Sequence, residues 1–464
     1  MIFSSIPFLY YFLPIVLFTY FVVKKAWRNK VLLFASLFFY AWGEPKYVFL
    51  MITTIILGYF FGLQIEKYRN TKKATYLCIS AVFLSLLALG YFKYADFFIL
   101  NLNHVTHANL PLLHIVLPIG ISFYTFQIIS YIVDVYRGED AQHNLFDLGA
   151  YIAMFPQLIA GPIIRYADID LQLQTRKHSI DLMADGIVRF IIGLSKKVLL
   201  ANQFGLLCTV FRQSLDISVM YYWMYILAFS FQLYFDFSGY SDMAIGLGKM
   251  FGFHFMENFN YPYIANSITD FWRRWHISLG TWFRDYVYIP LGGNRVSTIR
   301  QFINIFIVWF LTGFWHGANW NFILWGLYFA LLLMIEKVFL KKYLDKHRVL
   351  SHIYVILMVF ISFVIFNGED LNMIKQDLMG LFGLLNIPNV SSEALYYLKD
   401  YGVLFLIAFF AATPLPSTLY HRLQDSKYHK VIGYGQCLVL LILLFVVSAY
   451  LVDGSFNPFL YFRF

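Results

Sequence analysis

The sequence predicts an all-helical protein that crosses a membrane many times, and three observations support this prediction. Only 13% of the 464 residues are Asp, Glu, Lys or Arg, whereas soluble domains carry about 25%. Apolar residues make up 60% of the chain, and Phe, Trp and Tyr alone make up 21%, which excludes disordered and collagen-like chains. Apolar runs recur along the chain, and many approach the roughly 20 residues that a membrane-spanning helix needs.

The apolar runs divide the chain into candidate spans. Several runs are too short to cross a bilayer alone, so we expect about eleven to thirteen spans and at least one re-entrant segment sheltered inside the bundle. The runs occupy residues 3–23, 31–42, 47–65, 75–99, 115–135, 148–164, 182–210, 219–235, 302–315, 320–336, 349–366, 401–415 and 431–452.

Charged residues between the runs predict the orientation. Lys and Arg cluster at residues 24–30, 66–73 and 337–348, and such clusters mark the cytoplasmic side. Residues 367–400 hold five acids against two bases and should face outward. Both termini are then expected outside, with the first run kept as a span. The net charge of +9 reports topology, because no segment combines a basic face with a nucleic-acid-binding fold signature.

The strongest candidate for chemistry is His316, in the segment FLTGFWHGANWNFILW. An ionisable residue at membrane depth indicates a functional site by default. A buried imidazole tends to stay neutral and can then accept a proton at physiological pH. We therefore predict that His316 is a general base, with Trp315 and Asn319 beside it as substrate-binding groups. The alternative is a histidine that makes one hydrogen bond in a helical core.

A second histidine, His276, lies in the segment DFWRRWHISLGTWFRDYVYIPLGGNR with Arg273, Arg274 and Arg284. The segment is too polar to span, and its Trp, Tyr and Arg content favours the membrane interface. Guanidinium groups suit phosphate or carboxylate recognition, so these residues are candidates for binding a phosphate-bearing donor such as coenzyme A. An amphipathic interfacial helix with snorkelling arginines is the equal alternative.

Four further polar positions lie in apolar surroundings. Asp236 and Asp242 are six residues apart in a glycine-rich run, where buried carboxylates need partners. We expect them to organise the arginines of the segment that follows rather than to act in catalysis. The segment FPQLIAGPIIRY, residues 155–166, fits an interrupted helix that lines a cavity, and its Gln157 and Arg165 are lesser candidates.

No metal site is expected. His104, His107 and His114 are close in sequence, but without a neighbouring carboxylate or thiolate a solvated loop is the favoured interpretation. The three cysteines lie far apart inside apolar runs and have neither metal-type nor redox-type spacing. Motifs of serine hydrolases, P-loop NTPases and zinc proteases are missing from the sequence.

Several segments resemble the membrane-bound O-acyltransferases. WHGANW and FWRRWHIS are similar to family motifs, and LPIGISFYTFQIISYIVDVYRG, FPQLIAGPIIRY, LYFDFSGYSDMAIGLGKMFGF and RDYVYIPLGGNR resemble the bacterial alginate O-acetyltransferase branch. The resemblance implies one integral-membrane domain over residues 1–464, built around a cavity or tunnel, with its catalytic core in residues 115–326. By motif, His316 is the family's near-invariant histidine and His276 its second polar position.

The resemblance also implies a reaction. An acetyl group would move from a cytoplasmic donor, with acetyl-coenzyme A as substrate and no resident cofactor, to an extracytoplasmic polysaccharide or peptidoglycan. The expected partners are an extracytoplasmic SGNH or esterase-like acetyltransferase, the cell-envelope polysaccharide and membrane lipids. The expected location is the bacterial cytoplasmic membrane, and Asn319 or an indole would stabilise the oxyanion.

The carboxy-terminal tail, residues 453–464, ends in NPFLYFRF. It resembles the aromatic tail of bacterial family members and of the small partner of the D-alanyl-transferring relative, whose tyrosine is thought to carry the acyl group. By that motif Tyr461 is an acyl carrier. A phenol with a pKa of about 10 is a poor nucleophile unless a base takes its proton, and His316 is the candidate base. The alternative is an aromatic belt at the membrane surface.

The residues are also compatible with two other functions. Transfer of D-alanine or of a longer acyl chain would keep the same family but change the donor. A polytopic transporter or flippase would instead use Asp236, Asp242 and His316 as an ion or substrate path. Cleavage of a thioester, with formation of an acyl adduct, distinguishes the enzyme from the transporter.

Overall fold

The computed structural model describes residues 1–159, 161–454 and Phe459. Within these residues every extended regular element is a helix, and the one β-bridge joins Phe259 to Trp275. This confirms the all-α prediction. The α-helices are α1 (Leu13–Val22), α2 (Arg28–Gly43), α3 (Val48–Lys67), α4 (Lys72–Thr106), α5 (Ile121–Arg137), α6 (Leu145–Ala153), α7 (Phe155–Leu158), α8 (Tyr166–Thr175), α9 (Ile180–Ser195), α10 (Asn202–Gln213), α11 (Val219–Met250), α12 (Ile268–Arg274), α13 (Ile277–Phe283), α14 (Thr298–His316), α15 (Trp320–Ile335), α16 (Lys341–Leu344), α17 (Arg348–Asn367), α18 (Leu371–Leu381), α19 (Ser392–Ala411), α20 (Leu415–Gln424) and α21 (His429–Asp453).

Short segments of other helix types join several of these elements. Within the described residues, 3₁₀ turns occur at Lys25–Trp27 and Pro262–Ile264. The π-helical segments in the described residues are Phe8–Phe12, Lys196–Ala201, Arg284–Tyr288 and Glu336–Leu340. π-helical turns are rare overall, but those that exist often lie at functional sites. The side chains of the last three segments are therefore candidates for functional roles.

Eight helical stretches among the described residues are long and apolar enough to cross a membrane. They are Val48–Lys67, Lys72–Thr106, Ile180–Gln213, Thr298–His316, Trp320–Leu344, Arg348–Asn367, Ser392–Ala411 and His429–Asp453. The remaining apolar runs form shorter or more polar helices, such as Phe8–Val22, α2 and α5. The count by length and composition is thus eight, where the sequence suggested about eleven to thirteen.

The chain folds as two compact units. The first comprises Met1–Phe190 and Met243–Met256, and the second comprises Ile191–Asp242 and Glu257–Phe464. In the first unit, α5 is buried along nearly its whole length, and the glycines of α3 allow close packing against it. A Cβ at Gly62 would collide with the Tyr131 hydroxyl, and a Cβ at Gly58 would lie 2.6 Å from Ile128 Cδ1.

The interrupted helix predicted over residues 155–166 is confirmed. Helix α7 ends after one turn, and residues 161–165 are irregular although four of them are buried. Non-helical backbone at this depth needs polar partners from the surrounding protein. The Tyr151 hydroxyl supplies one, since it donates to the carbonyl oxygen of Ile164 at 2.9 Å.

In the second unit, α14 and α15 form an antiparallel pair at close range. A Cβ at Gly313 would collide with the carbonyl oxygen of Phe322, and a Cβ at Gly326 would collide with that of Trp309. Small residues let helix backbones approach in this way when the solvent is lipid. The close pairing brings the end of α14, where His316 lies, against the side chains of α15.

Candidate active site

His316 is the last residue of α14, and its position follows from how that helix ends. Gly317 is extended, with φ −169° and ψ 159°, and the chain then turns into α15. Asn319 caps α15, because its side-chain oxygen accepts a hydrogen bond from Trp320 N at 2.6 Å. Its amide nitrogen donates to the carbonyl oxygen of Glu369 at 3.2 Å. Since the side-chain oxygen of Asn319 caps α15 and its nitrogen binds the carbonyl oxygen of Glu369 after α17, a structural role explains its position.

The His316 imidazole is enclosed by aromatic rings. The side chain is 4% exposed, and its ring centroid lies 5.0 Å from Trp315, 4.9 Å from Trp325 and 5.4 Å from Phe366. Trp325 Nε1 is buried and has no hydrogen-bond partner among the described residues. An indole N–H donor in a low-dielectric setting therefore lies close to the imidazole.

His276 is held in an unusual backbone conformation. Its φ is +47°, a left-handed value that costs energy for a residue with a side chain and is found preferentially at functional sites. Asn258 supports this conformation, because its carbonyl oxygen accepts from Ile277 N at 3.0 Å and its side-chain oxygen accepts from the Ser278 hydroxyl at 2.9 Å. The surrounding hydrogen bonds thus fix where the imidazole points.

One indole lies between the two histidines. The Trp315 ring centroid is 6.1 Å from His276 and 5.0 Å from His316. His276 is 1% exposed, and burial lowers the pKa of its imidazole to about 3. His276 is therefore neutral at physiological pH.

His276 lines a cavity of about 610 Å³ in the second unit. Arg273 and Arg284 lie on its wall, and Arg284 is ion-paired with Asp285 at 2.7 Å on a largely exposed side chain. Arg274 is not among the lining residues, since its guanidinium is bound to Asp270 at 3.0 Å. The other lining residues are mainly apolar: Trp272, Ile277, Leu279, Phe283, Ile305, Val308, Trp309 and Leu333, with Thr269, Gly280, Thr281, Tyr288 and Thr312.

The two aspartates have a different partner from the one that the sequence suggested. Asp236 Oδ1 lies 2.6 Å from Lys197 Nζ, and both side chains are almost completely buried. Asp242 Oδ2 lies 2.7 Å from Lys196 Nζ. The ion-pair partners shown for the two carboxylates are thus lysines of the preceding segment. The reason is that the π-helical segment Lys196–Ala201 presents two lysines to α11, and their ammonium groups neutralise the carboxylates.

Gln157 and Arg165 belong to the first unit and are held within it. Gln157 is 1% exposed, and its amide nitrogen donates to the carbonyl oxygen of Tyr151 at 2.7 Å. Arg165 forms a two-pronged ion pair with Asp168, with both distances at 2.7 Å. The Asp168 carboxylate thus neutralises the Arg165 guanidinium.

Tyr461 lies outside the described residues, whereas Phe459 is described and packs inside the second unit. Phe459 is 2% exposed. Its ring centroid lies 5.0 Å from Tyr240 and 5.8 Å from Phe237, and the Phe237 ring lies 4.6 Å from His276. A tail residue is therefore one side chain away from His276.

Sequence reasoning missed Glu336, which anchors the segment that carries the cavity arginines. Its side chain is 1% exposed, and its carboxylate accepts hydrogen bonds from Ile268 N, from Thr269 N at 3.1 Å and from the Thr269 hydroxyl at 2.9 Å. These donors open α12, so the carboxylate satisfies amides at a helix start. The sequence feature that could have indicated this role is the acidic residue at the end of the apolar run 320–336.

Comparison with known proteins identifies related membrane enzymes. Residues 112–374 match the sequence model of the membrane-bound O-acyltransferase family. The probable alginate O-acetylase AlgI of Pseudomonas aeruginosa is 46% identical over 378 residues, which cover 80% of this chain and 73% of that protein. The peptidoglycan O-acetyltransferase of Helicobacter pylori is 34% identical over 445 residues, covering 86% of this chain and 83% of that protein. The teichoic acid D-alanyltransferase of Bacillus subtilis is 30% identical over 327 residues, covering 65% of this chain and 80% of that protein.

These matches confirm the family that the motifs indicated. The matched stretch is more than half of the chain and includes both buried histidines and the cavity arginines. The relatives are O-acetylating enzymes similar over most of their length, so a transporter is no longer the competing interpretation. The chain is a multi-pass membrane O-acyltransferase and belongs to the membrane-bound O-acyltransferase family.

Proposed function

We propose that this enzyme transfers an acetyl group from acetyl-coenzyme A, taken up on the cytoplasmic side, toward an extracytoplasmic polysaccharide. Relatives named for O-acetylation of alginate and of peptidoglycan support a carbohydrate hydroxyl as the final acceptor. One observation carries the site assignment. Two buried histidines flank Trp315, and one of them lines a cavity that also presents arginines.

The donor is assigned to the cavity of about 610 Å³. Its apolar walls suit an acyl chain and the thioester, because ligand pockets combine mainly apolar linings with a few polar groups. Arg273 and Arg284 are the proposed phosphate-binding groups, since guanidinium forks match phosphate geometry. Arg274 is left out of this role because it does not line the cavity.

His316 is assigned as the general base. Burial lowers the pKa of His276 and keeps its imidazole neutral, and its proposed role is to orient the donor or acceptor by hydrogen bonding. His316 is the other buried imidazole of the pair, and its aromatic enclosure keeps bulk water away during transfer. Because the Trp315 indole lies between the histidines, we expect it to move when a substrate reaches His316.

Trp325 is the proposed oxyanion donor. Its indole N–H is buried, has no partner among the described residues and lies beside His316. Asn319 is disfavoured for this role because its side-chain nitrogen already donates to the carbonyl oxygen of Glu369. Loss of one oxyanion donor costs about 3 to 4 kcal/mol. We therefore expect Trp325→Phe, which keeps the ring packing, to lower kcat roughly 100-fold or more.

Tyr461 is the proposed acyl carrier, and the packing of Phe459 beside Phe237 and Tyr240 supports this role. In the first step the phenol oxygen attacks the thioester carbon as His316 takes the phenol proton. The carbon–sulfur bond breaks, and the coenzyme A thiolate leaves and receives that proton from the imidazolium. In the second step a hydroxyl of the SGNH or esterase-like partner takes the acetyl group, and its proton goes to the tyrosine phenolate.

The base assignment is tested with purified protein and acetyl-coenzyme A labelled in the acetyl group. His316→Ala should lose labelling, and His276→Ala should be impaired. His276→Asn should retain much of the activity, because a neutral amide can replace a neutral imidazole. The control is His104→Ala, which removes an exposed histidine at the end of α4. Labelling of His316→Ala at the rate of the unchanged protein contradicts the proposal.

The carrier is tested by mass spectrometry of trapped protein. An acetyl adduct on Tyr461 is expected in the unchanged protein, and His316→Ala should lack it. Tyr461→Phe should abolish acetylation of the polysaccharide in whole cells, while Tyr450→Phe, at an exposed position of α21, should have no effect. Normal acetylation by Tyr461→Phe rules out the carrier role and leaves the base assignment standing.

A further inference from the structure

A second cavity lies in the first unit and plays no part in the proposed transfer. Its volume is about 470 Å³, and its lining includes Lys25, Arg28, Asn29, Asp147, Arg176 and His178. Residues 24–30 form the first basic cluster of the sequence, for which the positive-inside rule predicts the cytoplasmic side. The cavity therefore lies in the part of the first unit expected to meet the cytoplasm or the headgroups of the inner leaflet.

The charges of this cavity are not balanced by the protein. In the part of the chain that the structure describes, neither Arg28 nor Arg176 has a carboxylate oxygen within 4.0 Å. Other arginines of the described chain do have such partners, for example Arg69 with Asp140 at 3.7 Å. Asp147 also lines the cavity, but it is bound by two asparagine amides, one of them Asn29 at 2.7 Å.

Hydrogen bonds to uncharged partners hold the guanidinium groups of Arg28 and Arg176 in place. Arg28 Nη1 lies 3.2 Å from His178 Nδ1, and a guanidinium only donates, so Nδ1 accepts. His178 Nε2 then carries the ring proton and donates to the Tyr20 hydroxyl at 2.9 Å. Tyr20 donates in turn to the carbonyl oxygen of Phe251 at 3.0 Å and accepts from Arg176 Nε at 2.9 Å.

This network orients positive charge without neutralising it. Arg28 also lies over the Tyr20 ring at 5.3 Å, and Arg176 lies over the Phe253 ring at 4.4 Å. The Nε atom of Arg28 is buried and has no hydrogen-bond partner among the described residues. Fixed guanidinium groups with an adjacent lysine form the usual recognition site for phosphate oxygens.

We propose that this cavity binds the phosphate group of an anionic ligand through Arg28, Arg176 and Lys25. Two sources supply this chemistry. One is the phosphodiester headgroup of an anionic phospholipid of the inner leaflet, and the other is a soluble phosphate-bearing nucleotide. Both sources are independent of the proposed function, because no residue of this cavity takes part in the proposed transfer.

The test uses the full-length protein in nanodiscs. The lipid arm compares phosphatidylglycerol with phosphatidylcholine by native mass spectrometry of retained lipid. The nucleotide arm titrates adenosine 3′,5′-bisphosphate by calorimetry into phosphatidylcholine nanodiscs. The variants are Arg28→Gln, which can still donate to His178, and Lys25→Gln at an exposed position. Arg69→Gln is the matched control, because it removes an arginine of the same unit that Asp140 already neutralises.

At least one of the two probes should bind the unchanged protein. The affinity of the bound probe should fall about tenfold or more in Arg28→Gln, because charge-assisted hydrogen bonds to the phosphate are lost, and it should be unchanged in Arg69→Gln. Selective retention of phosphatidylglycerol identifies the lipid source, and binding of the bisphosphate identifies the nucleotide source. The proposal is overturned when neither probe binds, or when Arg28→Gln and Lys25→Gln bind like the unchanged protein.

One further variant separates this proposal from the proposed function. His316→Ala should bind either probe as tightly as the unchanged protein while losing acetyl transfer. Failure of transfer chemistry at His316 would therefore leave the phosphate site intact. Conversely, the effect of Arg28→Gln is measured as probe affinity, which does not require acetyl transfer.

Discussion

Removal of the Glu336 carboxylate should detach the start of α12 from the rest of the second unit. This carboxylate accepts the first two backbone N–H groups of the helix, from Ile268 and Thr269, and also the Thr269 hydroxyl. The helix carries Arg273 to the cavity wall and leads directly into His276. Glu336→Ala therefore tests whether a residue that touches no substrate positions those that do.

The expected loss of stability follows from the donors left behind. Each buried donor without a partner costs about 1 to 3 kcal/mol, and two backbone N–H groups lose theirs, so Glu336→Ala should destabilise the unit by about 2 to 6 kcal/mol. Glu336→Gln keeps one acceptor oxygen and should lose less. The matched control is Asp345→Ala, because this acid forms an exposed pair with Lys341, and such pairs contribute about 0 to 1 kcal/mol.

The assay combines thermal unfolding in one detergent with the rate of acetyl transfer. Melting temperature and rate should fall in the order unchanged protein, Glu336→Gln, Glu336→Ala, while Asp345→Ala stays near the unchanged protein. Addition of acetyl-coenzyme A should stabilise Glu336→Ala less than the unchanged protein, because Arg273 is no longer held at the cavity. The reasoning is refuted when Glu336→Ala melts and reacts like Asp345→Ala.

Three other predictions concern packing and charge. Lys197→Met should cost about 3 to 5 kcal/mol of stability by leaving Asp236 buried without its ammonium partner, and changing Asp236 to Leu as well should restore much of the loss in chemical unfolding. Gly313→Ala should lower the melting temperature by pushing α14 from α15, whereas Gly402→Ala meets open space and should not. Burial lowers the pKa of His178, and the positive charges of Arg28 and Arg176 lower it further. As the pH falls, His178 therefore takes up a proton in the unfolded chain before it does so in the folded protein. The free energy of unfolding of the unchanged protein should consequently fall below about pH 6.5. His178→Gln should remove that component of the pH dependence, and an identical pH profile for both proteins would exclude it.

The sequence alone determined the class of fold and the two histidines. Low charge and recurrent apolar runs specify membrane helices, because hydropathy acts on each segment separately and needs no knowledge of its neighbours. The interruption that follows α7 at Leu158 could be predicted for the same local reason, since prolines and glycines break a helix wherever it packs. His316 and His276 stood out because ionisable residues are costly in apolar surroundings.

Tertiary structure alone decided which groups face one another. The lysine partner of Asp236 could not be predicted from spacing, because it depends on the close approach of α9 and α11, where a Cβ at Gly239 would lie 2.7 Å from the carbonyl oxygen of Gly193. Glu336 reaches the start of α12 across 67 or 68 residues. Hydropathy places each helix in the bilayer, but it leaves its rotation free. That rotation is set by which side chains interdigitate with the neighbouring helices.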